Sequence, residues 1–232
     1  MILRQLFDSD SSTYTYLIAD PTTREAVLVD PVLEHVERDL KLLAELGLEL
    51  RYVLETHVHA DHVTAAGQLR ERTGARTCAS GAGAPCVDQH LTDGDVVRVG
   101  DVAITALATP GHTDDGMSFH VGRYVLTGDT LLIRGCGRAD FQNGDAGALW
   151  DSITGVLFAL PDDTVVLPGH DYKGFTSSTI GEEKRVNPRV AGRDRAAFIE
   201  LMAALNLPRP KKLDVAVPAN RACGKVAPIQ AS

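Results

Sequence analysis

No stretch of this chain is long and apolar enough to cross a bilayer as a helix, which takes about 20 apolar residues. Positive charge is also in short supply. The chain has 23 Lys and Arg against 31 Asp and Glu, for a net charge of −8. A general nucleic-acid binder needs a basic face to neutralise phosphates, so that class is set aside. Neither a nucleic acid nor a membrane is an expected partner. The start, Met1–Asp8, has neither a signal-peptide layout nor an Arg-rich transit segment, so a bacterial cytoplasmic location is expected. The four cysteines, Cys78, Cys86, Cys136 and Cys223, form no Cys-x-x-Cys pair. That argues against a structural zinc knot or a thioredoxin-type motif. Without secretion signals a disulfide framework is not expected either, and the cysteines read as small buried apolar residues. There is no internal repeat, low-complexity tract or linker. Residues 1–232 are therefore expected to form one domain with a short C-terminal tail, and 44% hydrophobic residues suffice for a sizeable core.

What the chain does have is an ordered run of elements. Strands are predicted at Ile2–Phe7, Tyr14–Ala19 and Glu25–Asp30, with Asp20-Pro21 as a turn. A helix over Glu34–Leu46 carries Val36, Leu40, Leu43 and Leu46 on one face and stops at Gly47. A strand over 51–55 precedes a second helix, Asp61–Thr73, ending at Gly74. Strands near 76–79, 95–99, 102–108, 117–121 and 123–128 follow, then a helix over Ala146–Leu160 and a strand over Thr164–Leu167. Helices near 179–185 and 194–205 lead into an irregular, Pro-containing tail. The alternation predicts mixed sheets covered by helices, in layers.

The chemistry is concentrated in Thr56-His57-Val58-His59-Ala60-Asp61-His62. Three histidines and a carboxylate directly after a predicted strand are the usual ligands of zinc or non-haem iron. Burying so many polar groups together is costly unless something binds them. Three more segments put a ligand-type residue beside a glycine just past an apolar run, namely Gly111-His112, Gly128-Asp129 and Gly169-His170. Each alone is an ordinary turn. Together, four strand ends carrying such residues mark a metal site on loops at one rim.

This order, His-x-His-x-Asp-His and then His112, Asp129 and His170, resembles the metallo-β-lactamase superfamily. The resemblance implies an α/β fold, the αββα sandwich of two mixed sheets flanked by helices, with the metal at the rim between them. The segment Asp129–Arg138 resembles one shared by glyoxalase II and the persulfide dioxygenases, both of which act on glutathione derivatives. The runs Asp171–Arg189 and Leu207–Gly224 resemble the persulfide dioxygenases closely. Glyoxalase II has a longer helical region at this end.

The resemblance implies one Fe(II) per chain held by His57, His112 and Asp129, a facial set that leaves positions open for substrate and for O2 as co-substrate. Spacing alone does not choose this trio. His59, Asp61, His62 and His170 would then stand behind the ligands and orient them. In a dinuclear hydrolase of glutathione thioesters, the competing reading, these four would hold a second metal. The implied reaction converts glutathione persulfide, O2 and water to sulfite and glutathione. A carrier of metal or persulfide is disfavoured, because structural metal sites are normally closed.

Arg138 is a candidate to pair with a substrate carboxylate through its planar fork, with Asp140 orienting it. Tyr172 and Lys173 are further candidates for substrate contact, although many loop lysines are merely solvated. Thr113 is a candidate contact and equally a turn cap. Asp30 is a candidate to orient a ligand, or a turn residue. Cys136 reads as a buried, inert thiol near the pocket. His35, His90 and His120 fall in a helix, a polar loop and a strand and receive no role. The run Lys184, Arg185, Arg189, Arg193 and Arg195 could draw in an anionic substrate or simply be solvated. A homodimer is implied by relatives of this kind, although no apolar stripe marks an interface.

Overall fold

Twelve strands in the computed structural model, which describes residues 1–225, form two sheets of six. The first contains β1 (Ile2–Asp8), β2 (Thr13–Ala19), β3 (Glu25–Val29), β4 (Glu49–Leu54), β5 (Arg76–Ser80) and β6 (Gln89–Leu91), side by side in chain order. The second contains β7 (Val96–Val99), β8 (Val102–Ala108), β9 (Met117–Val121), β10 (Tyr124–Gly128), β11 (Val165–Pro168) and β12 (Ser178–Thr179), also in sequence order across the sheet. Both sheets are mixed. β1 to β3 are antiparallel and β3 to β6 parallel. β7 to β10 are antiparallel, β11 is parallel to β10, and β12 is antiparallel to β11.

The period-two alternation of strand side chains sorts the apolar residues into layers. In β2, Tyr14, Tyr16 and Ile18 face the second sheet and meet Ile104, Phe119 and Leu126 there. Leu17 and Ala19 face the other way, onto α1 (Val36–Glu45) and α2 (Ala66–Thr73), through Leu43 and Leu69. The outer face of the second sheet, with Val125 and Val166, is covered by α3 (Ala146–Asp151), α4 (Ile180–Val186) and α5 (Arg195–Ala203). The result is the αββα sandwich. Among the described residues no helix is long and apolar enough to cross a membrane.

Five expectations are corrected. The second helix starts at Ala66, not Asp61, because the carbonyls of His59 and His62 accept from the side chain of Asn220 rather than from a helical ladder. The predicted Ala146–Leu160 helix is α-helical only to Asp151, then widens into a π turn over Ser152–Val156 and tightens into a 3-10 turn. The tail is not irregular throughout. It forms α6 (Leu213–Arg221) with Pro218 inside, held by packing of Ala216 and Ala219 on Val63. His90 lies in β6 rather than in a loop, and His35, in a 3-10 turn ahead of α1, meets Asp8 at 2.9 Å.

The cysteines supply the fifth. Cys86, past β5, and Cys223, just beyond α6, form a disulfide across 137 residues of chain. Cys78 is the buried apolar residue expected. Cross-linking distant segments restricts the unfolded chain, typically by about 2–4 kcal/mol. The Cys86→Ser/Cys223→Ser double variant should lose about that much in denaturant unfolding. An unchanged unfolding midpoint would mean that the bond contributes nothing to stability.

Candidate metal centre

Strand direction explains why the site sits at one rim. β3 and β4 run parallel, so Asp30 and the 57–62 segment emerge at the same end. β8, β10 and β11 all run one way in the second sheet, so their ends deliver His112, Asp129 and His170 together. The two rims are stitched by Tyr14 N–H donating to Gly169 O (2.8 Å) and Met117 N–H to Thr56 O (2.7 Å).

One ligand atom each from His57, His112 and Asp129 lies within 4.8 Å of the other two. His112 Nδ1 lies 2.6 Å from the carbonyl of Arg138. A carbonyl only accepts, so Nδ1 carries the proton and Nε2 keeps its lone pair, 3.6 Å from Asp129 Oδ2. A second relay serves His57. The Thr56 hydroxyl donates to Asp30 Oδ2 (2.8 Å) and so accepts from His57 Nδ1 (3.0 Å), which frees Nε2. Asp30 also accepts from Thr56 N–H (2.7 Å), is buried, and sits at φ 51°, in the left-handed region. Gly137 permits the close approach of these parts. A Cβ there would lie 2.5 Å from Asp129 O and 2.8 Å from His112 Nδ1.

Charge is arranged to match. Burial, with His59 and His112 nearby, holds His57 well below the usual histidine range and keeps it neutral. Burial would raise the Asp129 carboxyl, but His170, hydrogen-bonded to it at 2.6 Å, leads the groups that outweigh burial and keep it ionised. His170 bridges two carboxylates, Nδ1 to Asp129 Oδ1 at 2.6 Å and Nε2 to Asp61 Oδ2 at 2.9 Å. Those carboxylates overcome its burial and raise it well above the usual range. Burial disfavours charge on His59 too, but Asp30, Asp61 and Glu55 push it up to about 9.

His59, Asp61 and His62 form a second close group, and Asp30, Glu55 and His59 a third; His170 belongs to none. Nδ1 of His59 and Nε2 of His62 are buried without a hydrogen-bond partner in the protein, while His59 Nε2 lies 3.2 Å from Asp30 Oδ1. Unpartnered buried nitrogens and two imidazoles oriented by their Nδ1 partners beside a carboxylate fit a metal ion.

A cavity of about 430 Å³ opens onto the trio. Cys136 lines it, and burial pushes its thiol up to about 12, so it stays protonated. Tyr172 also lines it, stacked on His170 at 6.0 Å. Arg138 is in the wall, but its guanidinium is engaged: Nε and Nη2 meet Asp140 at 2.5 and 2.7 Å, and Nη1 donates to Pro208 O at 2.7 Å. It ties the tail to the site. Thr113 is fully buried and does not line the cavity, and neither does Lys173, which is exposed. The basic run also lies outside the cavity wall, with Lys184 paired to Asp162 and Arg195 to Asp151.

The metallo-beta-lactamase superfamily model matches residues 9–85 and 83–170. The mitochondrial persulfide dioxygenase ETHE1 of Homo sapiens is 46% identical over 231 residues, 98% of this chain and 91% of that one. This chain belongs to the persulfide dioxygenase family of the metallo-beta-lactamase superfamily. Agreement with a solved structure of that family is close along the whole chain. ETHE1 from Myxococcus xanthus superposes with a TM-score of 0.96 at 63% identity, covering 97% of this chain and 100% of that one. Similarity to the hydroxyacylglutathione hydrolase of Cereibacter sphaeroides is narrower, 39% over 70% of this chain and 64% of that one.

Three features of this persulfide dioxygenase family member escape a reading of the sequence. Leu207–Lys211 walls the cavity and brings Arg209 and Lys211 to it. Nothing in the local pattern marks that segment, although it falls in the run that carries the family resemblance. Thr56 looks like a strand-end threonine until Asp30 is seen behind it. Asn220 lies 158 residues from His62 and has no local signature.

Proposed function

We propose that this chain is a persulfide dioxygenase that converts glutathione persulfide, O2 and water to sulfite and glutathione, with one Fe(II) held by His57, His112 and Asp129. The observation that carries the reading is that convergent trio, with both imidazole tautomers fixed, in a chain 46% identical to a persulfide dioxygenase over nearly its whole length. When bound, the ferrous ion supplies the electron transfer that ground-state O2 needs to react with a closed-shell anion.

The remaining work falls to the chain. The Arg138 carbonyl holds the His112 proton on Nδ1, and Thr56 with Asp30 does the same for His57, so both rings present Nε2. Glutathione persulfide is anionic, and Lys211, with Arg209 beside it paired to Asp214 at 2.5 Å, places positive charge in the cavity wall. Arg138 orders that wall through Pro208. Leu132, Leu207 and Pro208 line the cavity with apolar surface that excludes water from the reacting sulfur. His59, Asp61, His62 and His170 orient the ligand segment and balance its charge.

The second reading, a dinuclear hydrolase of glutathione thioesters, rests on the His59, Asp61 and His62 group. Metal analysis separates the two. One iron per chain is expected, with substantial iron retained in His59→Ala. Two metals per chain, or complete metal loss in His59→Ala, would overturn the mononuclear assignment.

A further inference from the structure

The segment between β4 and α2 carries four of the seven ligand-type residues, yet it has almost no regular structure of its own. Backbone groups there need partners as much as any others. Side chains from elsewhere supply them. Asp115 accepts from Val58 N–H (2.8 Å), and Gln142 donates to Val58 O (2.7 Å). The largest share comes from Asn220. Its Nδ2 donates to His59 O and His62 O, both at 2.9 Å, and its Oδ1 accepts from Thr64 N–H at 2.8 Å.

A primary amide offers two N–H donors and a carbonyl acceptor, and here all are used on six residues of chain. The partners also fix the orientation of the amide, because two carbonyls require the NH2 side and one N–H requires the oxygen. Asn220 is only 4% exposed. Its backbone is anchored as well: Gly67 N–H donates to Cys223 O (3.0 Å), and Cys223 is bonded to Cys86. Contact is so close that a Cβ on Gly224 would lie 2.1 Å from Thr64 O, and one on Gly67 would lie 2.3 Å from Cys223 O. The amide therefore does for residues 59–64 what a helical ladder would otherwise do. It leaves the segment unwound, with the rings of His57 and His59 at 4.1 Å and those of His59 and His62 at 4.2 Å between centroids.

We propose that Asn220 is a positioning residue for the metal centre. Through the backbone of His59, His62 and Thr64 it holds the ligand segment so that His57 meets His112 and Asp129. The inference rests on the metal site proposed above and assigns Asn220 no contact with substrate. Asn220→Asp would set a carboxylate oxygen against two carbonyls, and Asn220→Ala would leave three backbone groups without their partners.

The test uses the full chain loaded with Co(II) as a spectroscopic probe and with Fe(II) for kinetics. In both variants the affinity for Co(II), by chelator competition, should fall about 10–100-fold, as for other residues that orient metal ligands. The Co(II) ligand-field bands should shift, and kcat should fall more than KM rises. Circular dichroism of the metal-free variants reports folding, and Asn220→Ala decides the matter if Asn220→Asp does not fold. Affinity and bands like wild type, with only a lower melting temperature, would overturn the inference and leave Asn220 a structural residue. Wild-type protein without stoichiometric metal would instead overturn the site reading itself, and this inference with it.

Discussion

Asp129→Ala is expected to abolish iron binding and activity together. Asp129 supplies the sole carboxylate of the trio, so its removal leaves two imidazoles, too few ligands to retain a ferrous ion. It also removes the carboxylate that His170 Nδ1 meets at 2.6 Å and leaves that buried, charge-prone ring with Asp61 alone. Loss of a residue that merely orients a ligand typically weakens metal binding about 10–100-fold, and loss of a ligand should exceed that. Iron content after desalting, with sulfite formation measured in parallel, checks it. Retained iron with retained activity would refute the ligand assignment.

Asp30→Ala should have the next largest effect, although Asp30 ligates nothing in the proposed site. Its carboxylate accepts the Thr56 amide and hydroxyl, and through that hydroxyl it sets the His57 tautomer. It is also the leading source of the charge that raises His59 to about 9 against burial. With Asp30 gone, His57 is free to turn the wrong nitrogen toward the metal. Iron affinity should fall about 10–100-fold. The buried Thr56 N–H left without an acceptor should cost about 1–3 kcal/mol of stability. Asp30→Asn, which keeps one acceptor oxygen, should fall between. Chelator competition and denaturant unfolding on the same preparations measure both effects. Wild-type affinity in Asp30→Ala would show that the relay does not matter.

The strands were legible because burial follows their alternation. In β2, the inward Tyr16 and Ile18 are buried against the second sheet and the outward Leu17 against the helices. The ligand-type residues were legible because each follows an apolar run, and strand direction carries all of those ends to one rim. What the sequence hid has a common cause, the contact made at long range. The ligand segment reads as the start of a helix, since no local pattern reveals that an asparagine beyond residue 200 takes its carbonyls. Pro218 argues against α6, and only packing on Val63 and the Asn220 hydrogen bonds explain a helix there. The partners of Cys86 and Cys223 are separated by most of the chain. Arg138 pairs with Asp140 as its sequence neighbourhood suggests, but nothing local reveals that the Pro208 carbonyl takes its Nη1.

O2 uptake by the iron-loaded protein on adding glutathione persulfide tests the central claim most directly, with hydrolysis of a glutathione thioester followed in parallel. The account predicts rapid uptake of one O2 per persulfide, sulfite as product, and no thioester cleavage. Thioester cleavage without O2 uptake would contradict it and assign the His59, Asp61 and His62 group to a second metal.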